Sequence, residues 1–173
     1  MTVVIDTNVI LTANRQHADV SEECIASCAR RLREIEASGR VAIDDEYRIL
    51  KEYMNKTTPH LGKRPGDAFV KWLLRNNANQ ERCDQVRLRE HQTRGYESFP
   101  DADRLEKFDP ADRKFVAVVR AHADLPPILQ ATDSKWIDWA SALKEHGVSV
   151  EFLCARDIRT FDDRKKGRKG KVR

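Results

Sequence analysis

Three short apolar runs, each closed by an acid and each leading toward a helical stretch, constrain this chain more than any other feature. They are Val3-Val4-Ile5-Asp6, Val41-Ala42-Ile43 with Asp44-Asp45-Glu46, and Ile128-Leu129-Gln130-Ala131-Thr132 with Asp133. Runs this short, apolar and partly β-branched read as buried strands. A fourth run, Val148 to Leu153, alternates like an edge or terminal strand. Between them lie helical patterns. Ser21 to Ser38 has a capping serine, Glu22 and Glu23 in its first turn, and Gly39 as a stop; Ile25, Cys28, Ala29, Leu32 and Ile35 form its apolar stripe. Tyr47 to Asn55 and Trp136 to His146 are also helical, and Asp109-Pro110 starts another helix with Phe115, Val116, Val119 and Ala123 on its buried face. Strands alternating with helices imply a mainly parallel sheet covered on both faces.

The middle is less regular. Thr57 to Pro65 reads as a loop, Asp67–Arg75 and Gln80–Arg89 as helical segments, and 93–108 has no clear period. No repeat and no second domain is visible. A chain of 173 residues suits one domain, here assigned to residues 1–156 and followed by a basic tail, 157–173. The formal net charge is +4, and residues 164–173 carry seven basic groups and no acid, so the remainder stands at 4 − 7 = −3. Such a block is a candidate grip on phosphate backbones or a solubilising tail. No basic leader precedes an apolar run, and no stretch reaches the length of a membrane span, so the expected location is cytoplasmic. Cys24 and Cys28 share a helix face, but neither Cys83, Cys154 nor the scattered histidines (His17, His60, His91, His122, His146) completes a zinc pattern. The cysteines therefore read as reduced, half-buried thiols.

The acids carry the functional signal. Asp6 and Asp133 fall at the carboxyl ends of strands, where open α/β sheets place their ligand sites. Glu46 follows the second strand, with Asp44 and Asp45 competing for the same role, and Asp112 lies in the first turn of its helix. Each has an ordinary structural explanation: Asp6 as a strand terminator, Asp112 or Asp109 as a first-turn acid, Glu46 as an exposed helix-start acid, Asp133 as a cap. Converged, the four carboxylates repel one another unless a cation compensates. Hard divalent cations take such ligands, and paired metals activate water for phosphodiester cleavage.

The stretch Val3-Val4-Ile5-Asp6-Thr7-Asn8-Val9-Ile10-Leu11 resembles the opening strand and turn of PIN-domain nucleases. Asp109-Pro110-Ala111-Asp112-Arg113-Lys114-Phe115 is similar to their central acidic helix start, Ala131-Thr132-Asp133-Ser134 to their last acidic motif, and Glu46 falls where their second acid stands. The resemblance spans roughly residues 2 to 154. It implies a three-layer α/β/α sandwich and cleavage of RNA, less often DNA, with Mg2+ or Mn2+ held by Asp6, Glu46, Asp112 and Asp133. Thr7, Asn8 and Ser134 would support these ligands. Arg113, Lys114, Arg164, Lys165, Lys166, Arg168 and Lys169 would contact nucleic acid. Many relatives are toxins of bacterial toxin–antitoxin pairs, so an inhibitory protein partner and a homodimer are implied expectations. Lys135 stands where many members carry a further acid, and both the stretch from Thr57 to Phe108 and the tail exceed compact toxins of this type. Two other readings remain: a catalytically silent module of the same fold that binds nucleic acid or protein, and an aspartyl-phosphate enzyme. Asn8 occupies the place where a phosphatase of the haloacid-dehalogenase type needs its second aspartate.

Overall fold

The computed structural model describes the backbone of residues 1–170 and the side chains of residues 1–167. Its centre is a five-stranded parallel sheet: β1 (Thr2–Ile5), β2 (Arg40–Asp44), β3 (Cys83–Val86), β6 (Ile128–Gln130) and β7 (Val150–Phe152), in the order β3-β2-β1-β6-β7. Helices α1 (Thr7–Ala13), α2 (Glu22–Ser38), α3 (Arg48–Lys56), α4 (Pro65–Asn76), α5 (Arg113–Ala121), α6 (Lys135–Glu145) and α7 (Ala155–Gly170) flank it as a three-layer α/β/α sandwich. A small antiparallel hairpin, β4 (Glu90–His91) with β5 (Gly95–Tyr96), stands apart from the sheet. The strand order reverses at β1, whose neighbours are β2 on one side and β6 on the other. Connections from the two strands diverge there, opening a crevice at the carboxyl ends.

Local chemistry explains most elements. Ser21 Oγ accepts from Cys24 N at 3.1 Å, capping α2, and Cys24, Ile25, Cys28, Ala29, Leu32 and Ile35 are its buried stripe. Asp44 caps α3 by accepting from Arg48 N (2.8 Å) and Ile49 N (2.9 Å). Tyr47 takes a left-handed conformation to turn the chain into that helix. Helix α4 runs so close to α1 that a Cβ on Gly66 would lie 2.4 Å from the Ile10 carbonyl oxygen.

Four sequence expectations are corrected, and one helix escapes the sequence pattern. Residues 80–89 do not form a helix: Cys83–Val86 is strand β3, paired along β2. Its polar members are held by partners distant in sequence, Asp84 by Arg40 and Gln85 by the Tyr47 hydroxyl at 2.8 Å, so no local pattern marks it. Residues 7–13, to which the sequence pattern assigns no element, are a helix too short to display a period. Helix α5 starts at Arg113 rather than Pro110, because Asp109 accepts from Ala111 N at 3.0 Å and shapes a preceding turn. Of the expected tail, residues 157–170 belong to α7, whose Asp157, Ile158 and Asp162 are buried against the body, and Asp157 accepts from Ser21 N (2.6 Å) and Ser21 Oγ (2.8 Å); residues 171–173 lie outside the described residues. Finally, Cys24 and Cys154 are joined in a disulfide, while Cys28 and Cys83 are free and buried. Among the described residues no helix is long and apolar enough to cross a membrane.

Candidate active site: a carboxylate cluster at the carboxyl ends of the strands

Asp6 ends β1 and begins α1. Its Oδ1 accepts from Asn8 N at 2.8 Å, which makes it the N-cap of that helix. It is only 5% exposed. Burial, reinforced by the negative charges of Asp112, Asp133 and Glu52, pushes its carboxyl up to about 8 despite the Asn8 amide. Asp112, half-buried at the start of α5, is raised to about 6 by burial and by Asp109, against the opposing pull of Lys114. Three of the four acids expected from sequence are therefore brought together: Asp6, Asp112 and Asp133.

The fourth is not Glu46. That residue lies on the exposed turn before α3 and pairs with Arg48 at 2.7 Å. Asp44 is occupied as the α3 cap, and Asp45 Oδ1 faces Leu88 N at 3.4 Å. The acid that acts on both Asp6 and Asp112 is Glu52, a full turn further along α3. The second strand ends two residues before Glu46, but only the helix that follows carries a side chain back over the crevice. Periodicity held the clue: Glu52 precedes the buried Tyr53, whose hydroxyl donates to the Ile5 carbonyl beneath Asp6.

The supporting residues divide. Thr7 Oγ1 donates to Glu52 Oε1 at 2.5 Å, so it orients Glu52 rather than Asp6. Asn8 bridges: its backbone holds Asp6, its Oδ1 accepts from Thr132 N (2.8 Å) and Thr132 Oγ1 (3.1 Å), and its Nδ2 meets His17 Nε2 at 2.8 Å. This ties the loop bearing Asp133 to the start of α1. Ser134 occupies the N-cap position of α6 without a side-chain capping bond. Asp133 Oδ1 instead accepts from Lys135 N at 3.0 Å. His17, invisible in the sequence as a site residue, is half-buried near Asp133; burial lowers its pKa while the Asp133 charge opposes that shift.

Two cations expected on nucleic acid are committed elsewhere. Arg113 is buried, donates to the carbonyls of Phe108 (3.3 Å), Thr93 (3.2 Å) and Glu106 (2.7 Å), and stacks on Phe99. Lys114 is buried too, and its Nζ lies 2.6 Å from Glu52 Oε2 and against the Ala111 carbonyl. It supplies the cluster's internal countercharge. On α7, Lys165 pairs with Asp138 at 2.8 Å, Lys166 with Asp162 at 2.5 Å, and Arg164 lies over Phe161. The side chains of Arg168 and Lys169 lie outside the described residues.

The donor set is all oxygen, which suits Mg2+ or Mn2+ and not a soft cation. The carboxylates are spread: among the described residues, the only group of three candidate ligand atoms all within 4.8 Å of one another is Cys24, Cys28 and Cys154. A hard cation among Asp6, Asp112, Asp133 and Glu52 would be held by one or two carboxylates at a time and keep water on its remaining positions, the habit of Mg2+. Beside the cluster, sharing Asp112, opens a cavity of about 440 Å3 lined by Phe108, Pro110, Trp136, Trp139, Lys107, Lys135 and Lys165. No family model, curated protein or solved structure matches this chain.

Proposed function

We propose that the protein is a metal-dependent nuclease whose catalytic carboxylates are Asp6, Asp112, Asp133 and Glu52. The observation that carries this reading is the burial of Asp6 among three other acids at the point where the strand order reverses. Holding like charges together costs free energy, and a cluster kept at that cost is a functional-site signature. A bound Mg2+ or Mn2+ would supply an activated water and charge neutralisation for phosphodiester hydrolysis. The chain's own residues do the rest. Thr7 and Lys114 hold Glu52 from two sides, while Asn8 sets the spacing between Asp6 and Asp133. In the neighbouring cavity Lys107 offers a phosphate contact and the Trp139 ring an aromatic face to a nucleotide, while Lys135 and Lys165 face Asp109 and Asp138.

The resemblance to PIN-domain nucleases favours RNA over DNA and makes a toxin or defence role, with an inhibitory partner, the corresponding biological proposal. A second reading, a silent nucleic-acid-binding module, draws on one observation: Lys114 supplies Glu52 with a countercharge from within the chain. Cleavage of labelled single-stranded RNA and DNA with Mg2+, Mn2+ or EDTA, wild type beside Asp6→Asn, separates the two. Metal-dependent cutting that disappears in the variant supports the nuclease. Metal-independent binding without cutting, equal in both proteins, supports the module.

A further inference from the structure

The cysteines form a second constellation, carried by α2 and the turn after β7 rather than by the elements that hold the carboxylates. Cys24 and Cys28 lie one turn apart on the buried face of α2, and Cys154 arrives from the turn between β7 and α7. The three sulfur atoms all lie within 4.8 Å of one another, and all three residues are buried. Cys28 Sγ is 3.8 Å from Cys154 Sγ. A tetrahedral d10 cation with metal–sulfur bonds of about 2.3 Å holds its sulfurs about 3.8 Å apart. Cys28 and Cys154 already stand at that separation. Three sulfur atoms gathered in one place exceed what a disulfide staple requires: the Cys28 thiol contributes nothing to the Cys24–Cys154 bond, yet it sits against it.

We propose that the reduced protein binds one thiophilic d10 cation, of the Zn2+, Cu+ or Cd2+ class, through the thiolates of Cys24, Cys28 and Cys154. The disulfide and the metal are alternative occupants of one site. A dithiol reductant delivers two electrons and two protons to the Cys24–Cys154 bond, forming two thiols and becoming a disulfide itself. The cation then replaces the three thiol protons, which leave to solvent. A cavity of about 290 Å3 that Cys24 and Cys154 share with Ser21, Glu23, Ser27 and Arg156 gives a water access to a fourth coordination position. Both occupants tie the residue preceding α7 to α2, so the base of that helix stays fastened under oxidising and reducing conditions alike. Soft thiolate ligands also separate this site from the all-oxygen cluster, which selects hard cations.

The test uses the full chain, reduced with a phosphine under argon and freed of metal. Cd2+ titration is followed by ultraviolet thiolate-to-cadmium charge transfer, and iodoacetamide labelling of each cysteine by mass spectrometry. One equivalent of Cd2+ is expected to produce the charge-transfer band and to slow labelling of Cys24, Cys28 and Cys154 together. The band is expected to be lost in Cys28→Ala, kept in Cys83→Ala, and absent from the oxidised wild type. A band that survives Cys28→Ala, or no band in the reduced wild type, overturns the proposal. The labelling arm needs no variant: if Cd2+ shields fewer than all three cysteines of the wild type, the three-thiolate site is refuted even should Cys28→Ala fail to fold.

Discussion

Asp6 does two jobs with opposite demands. As an N-cap it needs only an oxygen acceptor, and asparagine caps as well as aspartate. As a member of the cluster it must carry charge when its surroundings resist it, hence its displacement to about 8. Because the folded pKa lies above the unfolded one, the folded state holds a proton that the unfolded state has already released between about pH 4 and pH 8. Stability contributed by that proton is full at the acid end and is lost as pH rises through 8, at up to about 1.4 kcal/mol per pH unit. Asp6→Asn is therefore expected to abolish metal-dependent cleavage, to raise the melting temperature at pH 8.5, and to flatten its fall with pH. Thermal unfolding from pH 5 to 9 checks this; an unchanged pH slope would show that Asp6 does not carry the strain. Mg2+ should raise the wild-type melting temperature at pH 8.5 and leave Asp6→Asn little changed, since a ligand bound only by the folded state stabilises it by mass action. A paired comparison tests the fourth acid. Glu52→Gln should lower cleavage roughly 10- to 100-fold, whereas Glu46→Gln, on its exposed turn, should cut at the wild-type rate. The reverse ranking would return Glu46 to the site.

Among the secondary-structure elements, α1 is the keystone despite its seven residues. It carries Asp6 at its cap, Thr7 toward α3, and Asn8 toward the loop after β6. Asn8→Ala strips the partner from Thr132 N and frees the Asp133 loop. The expected cost is about 1–3 kcal/mol of stability, together with a loss of activity larger than that stability change explains at a temperature where the variant is folded. Kinetics and calorimetry on one preparation separate the two effects. On its other side α1 meets α4 at Gly66, where Asn14 Oδ1 accepts from Gly66 N at 2.7 Å and leaves no space for a methyl group. Gly66→Ala must push the helices apart, at a cost of about 1–3 kcal/mol; denaturant unfolding with unchanged stability would contradict that packing.

Across the whole molecule, net charge is segregated: the body is mildly acidic, and residues 164–173 carry seven basic groups and no acid. The first turns of that helix are fastened by Asp157 to Ser21 and by buried Ile158, so stability and substrate attraction separate along its length. Deleting residues 164–173 is expected to leave the melting temperature close to that of the wild type. It should weaken binding to single-stranded RNA and reduce the salt dependence of that binding, because fewer counterions are released per complex. Binding curves at several salt concentrations decide this; an unchanged slope would reduce the segment to a solubilising role.

The alternation of apolar runs and helices, the capping serine at Ser21 and the acids at strand ends were enough to read the α/β class, α2, β1, β2, β6 and the meeting of Asp6, Asp112 and Asp133. Those features rest on contacts within one element or on the rule that ligands gather where the order of parallel strands reverses, so a linear pattern expresses them. Strand β3 escaped because its polar residues are satisfied by Arg40 and Tyr47, more than thirty positions away. Glu52 escaped because helix α3 must be docked before its second turn faces the crevice. Lys114 and Arg113 look like surface cations in sequence, but folding supplies a carboxylate for one and three carbonyls for the other. Cys154 meets Cys24 and Cys28 across 130 and 126 positions of chain. Spacing records proximity only along the backbone, whereas side-chain chemistry follows proximity in space.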